Sequence, residues 1–248
     1  WDYDNGDLDK IPAYCVTAEW IRRERLARKA DPLSGVVYVK RTIGTGPERP
    51  QDFDVYQPGA DLHLARLATG ANGALTVSDD RSVTAGCGLD KATADIRRPQ
   101  VSWDGKKIAF GARASASEPL AVYEMNADGT GCAKNADIAA GPANANGLLV
   151  HNFDPAYSPP GPDGRSRIVF ASTRGCRSSS PSDYSGPQRT PADPQKPNAN
   201  LHVLEPDPGA PGKNRVRQIT FQLNMERQPS FMNDGRVIMT AEKRAQSF

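Results

Sequence analysis

The stretch RRPQVSWDGKKIAFGAR, residues 97–113, decides the fold because a recognisable copy of it returns twice further along the chain. The second copy spans residues 154–174 and the third spans residues 228–240. Each copy predicts a short strand, an Asp-Gly turn in which glycine accepts a positive φ, and a second strand rich in β-branched and aromatic residues. The sequence therefore describes a repeat protein built from hairpins.

Composition places the chain among all-β proteins. Of its 248 residues, 22 are glycine and 21 are proline, while aromatic residues make up only 7%. Such a composition is typical of many short strands joined by turns, and not of a helical bundle. The net charge of +2 is too small for a nucleic-acid-binding surface, so we expect no nucleic-acid partner. No apolar run approaches the roughly 18 residues that cross a bilayer, so we expect no transmembrane segment.

The repeats organise the chain into four units after an N-terminal segment, residues 1–34. The units cover about residues 35–78, 97–140, 152–221 and 226–248. In the second unit we predict strands at 98–102, 107–112, 120–126 and 136–139, and in the third at 154–158, 167–172, 201–204 and 216–220. A Ser/Pro-rich insertion, residues 177–199, has the composition of a surface loop.

These units resemble the PD40 repeat, the WD40-like β-propeller unit of TolB-like proteins. The resemblance rests on Pro99, Ser102-Trp103-Asp104-Gly105, Ile108-Ala109-Phe110 and Asn126-Ala127-Asp128-Gly129-Thr130-Gly131. More loosely, that last segment and the long loops between units resemble the propeller regions of the hydrazine synthase alpha subunit family. The resemblance implies an all-β propeller of four-stranded antiparallel blades spanning residues 35–248, preceded by one N-terminal helix.

About three and a half blades are visible, because the fourth unit stops after its second strand. Propellers close with roughly 4 to 8 blades. An open ring would expose the faces and edges of its terminal blades, which is an aggregation hazard. We therefore expect this chain to be part of a longer polypeptide, or of an assembly in which a partner completes the ring.

The N-terminal segment offers a candidate cofactor site. Asp2, Asp4, Asp7 and Asp9 surround an Asn-Gly pair, and alternating carboxylates on a curved loop suit calcium. The alternative is an acidic, solvated chain end. A helix is predicted at residues 17–30, with a basic face that suits either an acidic partner or plain solvation.

Four cysteines, Cys15, Cys87, Cys132 and Cys176, are scattered without a CxxC pair, which removes support for zinc, thioredoxin-like or haem chemistry. Two disulfides in an oxidising compartment suit this pattern, and four free buried thiols are the alternative. In a propeller, the turns on each face bring particular loops together. On that basis we predict Cys87 paired with Cys176, and Cys15 paired with Cys132.

The propeller geometry also predicts a binding site at the channel mouth. Arg98, Asp154 and Gln228 each precede the proline of a first strand, and His151 lies in the connection entering the third blade. We expect these side chains to converge and to bind a small polar ligand or a peptide end. The alternative is a water-filled mouth of satisfied polar groups.

Other candidate groups favour structural roles. His63 and His202 occupy the third strand of their blades, so we expect them to belong to the sheets. Asp104, Asp163 and Asp234 are explained by turn chemistry. The sequence contains no G-x-S-x-G nucleophile elbow and no glycine-rich phosphate loop.

These features favour a non-catalytic protein-interaction or scaffold module of an exported bacterial protein, periplasmic or at the cell surface, whose partners are other envelope or complex subunits. The alternative is the regulatory or assembly propeller of a larger enzyme. Such an enzyme would be a prolyl-oligopeptidase-like peptidase or a hydrazine-synthase-like multi-haem complex, with its active site outside this sequence.

Overall fold

The computed structural model describes residues 35–41, 53–69, 75–141, 143–144, 147–175, 188–189, 196–222 and 225–241. The chain divides into two compact units, one of Trp1–Val36 with Ala65–Asp80 and one of Val37–Leu64 with Arg81–Phe248. The side-chain contacts described below lie within the second unit. The predicted helix at 17–30 lies outside the described residues. None of the helices in the described part of the chain has the length and apolarity that crossing a bilayer requires.

Strands dominate the described chain. They are β1 Gly35–Arg41, β2 Ala60–Thr69, β3 Leu75–Ser82, β4 Asp95–Val101, β5 Lys107–Arg113, β6 Ala121–Asn126, β7 Ala133–Lys134, β8 Asn152–Tyr157, β9 Ile168–Ser172, β10 Gln188–Arg189, β11 Lys196–Pro197, β12 Asn200–Pro206, β13 Asn214–Gln218, β14 Glu226–Phe231 and β15 Val237–Ala241. A 3-10 helix, Thr84–Cys87, and one short α-helix, α1 Ala136–Ala139, complete the described elements.

Apart from β10 and β11, which pair with each other within the predicted insertion, the strands form separate sheets in chain order. A three-stranded sheet has the order β1-β2-β3, and two four-stranded sheets follow with the orders β4-β5-β6-β7 and β13-β12-β9-β8. The last sheet contains only β14 and β15. Pairing within both four-stranded sheets and the β14–β15 sheet is antiparallel. The four-stranded antiparallel sheets predicted for the second and third units are therefore present, and they have the form of propeller blades.

Local chemistry explains each repeated hairpin. Between β4 and β5, the Ser102 hydroxyl donates to the Asp104 carboxylate, and the same carboxylate accepts the Lys106 amide. Gly105 follows with a φ of 70°, the left-handed conformation that glycine adopts without strain. Asp163 and Asp234 likewise accept the amides of the residues two positions later. The three Asp-Gly pairs are turn residues, as the sequence indicates.

Apolar clusters fill the space between consecutive sheets. Phe110 and Met125 face Leu62 and the rest of one cluster on the side of the first sheet. On the other face, Ala109 and Val122 pack with residues of β9 and β12, including Phe170. A third cluster lies on the opposite face of the β13-β12-β9-β8 sheet. It includes Met225, which directly precedes the last hairpin, and Val237, which lies in that hairpin. Each complete sheet thus buries both of its faces.

The outer strand of the second unit differs from our prediction. We expected a strand at 136–139, but this segment is α1, and the outer strand is Ala133–Lys134. The Asn135 side chain caps the helix by accepting the Ile138 amide at 2.9 Å. Ile138 is buried against β6 and β9, so the helix closes over the outer part of the sheet.

The predicted cysteine pairing is wrong. Cys87 is bonded to Cys132, with a Cα–Cα distance of 4.8 Å, and not to Cys176. We had placed the connection containing Cys87 and the turn containing Cys132 on opposite sides. The 3-10 helix instead lies beside that turn, since a Cβ on Gly86 would lie 3.8 Å from the Gly129 carbonyl oxygen. Cys15 and Cys176 lie outside the described residues.

Candidate functional site

The residue before the proline of each repeated first strand has an unusual backbone. The φ angles are 47° at Arg98, 50° at Asp154 and 58° at Gln228. A non-glycine residue rarely adopts positive φ, and such residues persist only where the surroundings determine them. The strand register shifts at each of these positions, so each is a β-bulge that turns a polar side chain out of the ladder.

The bulges bring three of the four predicted site residues together around one carboxylate. Asp154 is buried, and its Oδ2 accepts the Arg227 Nε–H and the Gln228 backbone amide, each at 3.1 Å. The Arg98 Nε lies 3.9 Å from Asp154 Oδ1. We call Arg98, Asp154, Arg227 and Gln228 the first-strand cluster. β8 contacts both β4 and β14, which explains the convergence.

His151 does not join the first-strand cluster. Its Nδ1 accepts the Leu120 amide at 3.2 Å, and its ring packs edge-on against Phe53. Burial, together with the positive charge of Arg113, lowers the pKa of His151 to about 4. The imidazole is therefore neutral at physiological pH and serves as a hydrogen-bond acceptor inside the fold.

A buried ionic network that the sequence reading missed lies close to His151. Asp95 accepts hydrogen bonds from the Nε and Nη2 of Arg97 and from the Nε of Arg113. Arg97 also donates to the carbonyls of Phe53 and Val55. Burial alone would raise the pKa of Asp95, but the hydrogen bond and charge of Arg97, followed by the Gln57 amide and Arg113, lower it overall.

This network fastens the segment that precedes β2 to the second sheet. Its sequence signal was present, because charged residues stand at Asp95 and Arg97 next to the apolar Ile96, in a strand where the pattern predicts burial. Burying a charge requires a partner, so opposite charges two residues apart in a core strand indicate such a network.

The remaining histidines occupy structural positions. His63 lies 3.1 Å from Asp61 through Nε2, and its ring lies beside Tyr38. His202 is buried, its ring stacks with Phe170, and burial lowers its pKa to about 4. These placements agree with our expectation that both residues belong to the sheets.

The last hairpin exposes residues whose counterparts are buried. Strand register makes Ile238 equivalent to Ala109 and Val169, because each pairs with the second-last residue of its first strand. Ala109 and Val169 are 0% and 2% exposed, whereas Ile238 is 58% exposed. Met239 is 37% exposed, although Phe110 and Phe170 at the same position are fully buried.

The outer strands of the complete sheets are protected in other ways. β7 is only two residues long and is followed directly by α1. β13 presents Arg215 and Arg217, which both bind Glu205. The Arg217 hydrogen bond, with Arg215, lowers the pKa of Glu205 to about 2. Short strands and charged side chains are the usual protection of sheet edges, and β15 has neither feature. We call β15 with its exposed Ile238 and Met239 the open edge.

The predicted calcium ligands Asp2, Asp4, Asp7 and Asp9 lie outside the described residues. Within the ranges that the structure describes, no three His, Cys, Asp or Glu side chains are grouped so that they could hold a metal ion.

Comparison with known proteins gives no family. No protein-family model matches the sequence, and no curated protein matches it. Among solved structures, one from a study of two prolyl endopeptidases and the role of inter-domain dynamics is similar over 88% of this chain, with 16% identity and a TM-score of 0.36. This chain spans 28% of that structure's length. No inference rests on a similarity of this extent. The sheets themselves define the class of protein: an all-β repeat chain of propeller-blade-like sheets.

Proposed function

We propose that this chain is a non-catalytic protein-interaction module of an exported protein, built from PD40-type blades like those of TolB-like proteins. The observation that supports the proposal is the open edge, where Ile238 and Met239 are exposed although their counterparts are buried. Asp95 is bonded into the framework of the fold, and Asp154 receives donors from the neighbouring hairpin. These structural roles favour binding over catalysis.

The repeat indicates what binds at the open edge. In the complete sheets, a third strand pairs antiparallel with the equivalent of β15, as β6 pairs with β5 and β12 with β9. The partner therefore supplies an extended strand that adds to β15 through backbone hydrogen bonds. By the same register, the partner residue opposite Met239 corresponds to Tyr123 or His202, whose rings stack on Phe110 and Phe170.

An exported location fits the Cys87–Cys132 disulfide, because disulfides persist in oxidising compartments. We propose the periplasm or the cell surface, with other envelope or complex subunits as partners. Expression with and without a secretory leader tests this proposal. The chain sent to the oxidising compartment should form the disulfide and have the higher free energy of unfolding.

Strand addition is tested with a peptide taken from the chain itself. The peptide NLHVLEP, residues 200–206, is the third strand of a complete sheet and serves as a surrogate partner. We expect it to bind the folded chain and to protect β15 amides from hydrogen exchange. Ile238→Lys should weaken binding about tenfold, because it places a charge in a contact that apolar surface would otherwise form.

The matched control is Val101→Lys, which changes an exposed valine of β4 that is 46% accessible. This variant should bind the peptide with unchanged affinity. A scrambled peptide, and a version with N-methylated alternate amides, should not bind. Equal binding by the Ile238→Lys chain, or by the N-methylated peptide, would refute strand addition.

The open edge also favours the alternative function, in which further strands of the same polypeptide complete the sheet. The chain would then be the regulatory or assembly propeller of a larger enzyme, prolyl-oligopeptidase-like or hydrazine-synthase-like. The intact mass of the native polypeptide and the sequence beyond residue 248 separate the two functions. A following G-x-S-x-G or CxxCH motif would favour the enzyme.

We also propose calcium binding by Asp2, Asp4, Asp7 and Asp9, on the ligand pattern alone. Titration calorimetry with calcium tests it. The variant with all four residues changed to Asn should release no heat, and an unchanged titration would reject the site.

A further inference from the structure

The first-strand cluster combines a buried carboxylate with donor groups on Arg98 and Gln228 that have no acceptor within hydrogen-bond distance among the described residues. Asp154 Oδ1 is buried and has no hydrogen-bond partner among the described residues. The Arg98 side chain is 36% exposed, and its nearest described anion is this oxygen, at 3.9 Å from its Nε. That separation is an ion pair and not a hydrogen bond. The arrangement therefore leaves both groups incompletely satisfied.

Gln228 contributes a second donor at the same place. Its backbone amide binds Asp154, and its side-chain Oε1 accepts the Thr240 hydroxyl at 3.1 Å. The side-chain NH2 has no acceptor among the described residues. Arg98 and Gln228 are thus held against one carboxylate by two different sheets, each through a bulge with positive φ.

Charge decides which ligand fits. The cluster contains two guanidinium groups, Arg98 and Arg227, and one carboxylate, Asp154, so it is net positive. Arg227 is already paired with Asp154 Oδ2 at 3.1 Å. The uncompensated charge therefore lies on Arg98, whose Nη1 and Nη2 form a fork suited to a planar two-oxygen anion.

We propose that the first-strand cluster is a carboxylate-binding site, for the C-terminal or side-chain carboxylate of a peptide. The ligand carboxylate accepts two hydrogen bonds from the Arg98 fork and one from the side-chain NH2 of Gln228. Arg98 then turns its Nε–H toward Asp154 Oδ1, which satisfies the buried oxygen. Asp154 is a positioning residue that orients the guanidinium and does not touch the ligand. The ligand binds Arg98 and Gln228 and uses neither Ile238 nor Met239 of the open edge, so either proposal can fail alone.

The test is a titration of the folded chain with N-acetylglycine, followed by the Nε–H signals of its arginines in NMR spectra. We expect a saturable shift of the Arg98 signal with a dissociation constant of about 1 mM. The neutral probe N-acetylglycinamide should cause no shift. The Arg236 signal is the internal control, because this arginine is exposed and paired with Asp234 outside the cluster.

Variants separate recognition from simple charge attraction. Arg98→Lys keeps the charge but removes the fork, and should weaken binding about tenfold. Gln228→Leu removes one donor and should weaken it about threefold. Arg236→Lys should change nothing. The proposal fails if the amide probe shifts Arg98 equally, if the Arg236 signal moves in parallel, if no saturation occurs below about 10 mM, or if Arg98→Lys binds as well as the natural chain.

Discussion

Phe110 and Met239 occupy the same position in two copies of the repeat, but their surroundings differ. Phe110 is fully buried and stacks on Tyr123 of the next strand, with ring centroids 5.5 Å apart. Met239 follows a hairpin that also has an Asp-Gly turn and a bulge in its first strand, yet it remains partly exposed. The hairpin therefore sets the position of the side chain, while the third strand supplies its burial.

The comparison extends to the faces of the sheets. Val169 is covered because the last hairpin packs against its sheet, and Ala109 is covered by the sheet that contains β9. Ile238 faces the corresponding side of the last hairpin, and no described residue buries it. Each copy thus depends on its neighbours to bury the apolar side chains of its faces, which is typical of repeat proteins.

Truncating the same position in the complete and incomplete sheets should give the largest difference. Phe110→Ala and Phe170→Ala should each lower the free energy of unfolding by about 3–5 kcal/mol, because each leaves a cavity in a closed core. Met239→Ala should lower the free energy of unfolding by less than about 1 kcal/mol, because Met239 is partly exposed and its removal leaves no cavity in a closed core. Urea titrations followed by circular dichroism measure all three.

When a peptide strand binds at the open edge, the Met239 position should become the sensitive one and the Phe110 position the insensitive one. If the peptide of residues 200–206 is added in excess, Met239→Ala should lose affinity for it while the Phe110→Ala chain does not. A cost above about 3 kcal/mol for Met239→Ala in the free chain would contradict the comparison, because it would mean that β15 is already packed.

The repeated hairpins were predictable from sequence because their determinants are local. The Asp-Gly turns, the β-branched strands and the proline at each bulge all lie within one short stretch such as residues 97–113. Two complete sheets and one half sheet follow from that pattern. Arg98, Asp154 and Gln228 were predictable for the same reason, since each directly precedes its proline at the same step of the repeat, whereas Arg227 was not predicted.

The errors arose where distant segments meet. The pairing of Cys87 with Cys132 depends on how the 3-10 helix packs beside a turn 45 residues away, which spacing alone does not determine. His151 was placed in the cluster by its loop, but burial next to Phe53 decides its orientation. At α1, the Asn135 cap and the helix-forming Ala136 and Ala139 outweighed the repeat pattern.

The Cys87–Cys132 disulfide constrains a complete sheet covalently. The described part of the last hairpin has no such bond. Cys87→Ser with Cys132→Ser should lower the free energy of unfolding by about 4 kcal/mol, from the chain entropy released by opening a loop of 45 residues. Reduction of the natural chain should include this loss, and the loss should be absent when the double variant is reduced. Identical denaturation midpoints for reduced and oxidised protein would contradict this expectation.

The third and fourth copies also differ in a titratable group. Four residues before the proline of the bulge, the third copy has His151 and the fourth has Met225. Burial lowers the pKa of His151 and of His202 to about 4. The unfolded chain therefore binds more protons than the folded chain between pH 6.5 and 4. The histidine contribution to stability is constant above this window and falls within it as the pH decreases, by up to about 3 kcal/mol for each histidine.

His151→Asn keeps an acceptor for the Leu120 amide and should remove about half of this loss. Urea titrations at pH 7 and pH 5 provide the measurement. Carboxylates with a lowered pKa, such as Asp95 and Glu205, stabilise the fold above their ordinary pKa values. This stabilisation is lost only as the pH falls below those values, so these groups affect the pH dependence only at lower pH. An unchanged pH slope in His151→Asn would show that the histidine is not buried in its neutral form.

Two turn glycines provide the smallest and most local contrast. Gly129 and Gly235 have the same φ of 84°, so alanine meets the same backbone strain at both positions, about 1 kcal/mol. A Cβ on Gly129 would also lie 2.8 Å from Val83 Cγ1 and 3.1 Å from Leu64 Cδ1, whereas a Cβ on Gly235 meets nothing within 4 Å. Gly129→Ala should therefore cost about 1–2 kcal/mol more than Gly235→Ala in thermal or urea unfolding. Equal costs would mean that the β6–β7 turn is as open as the turn of the last hairpin.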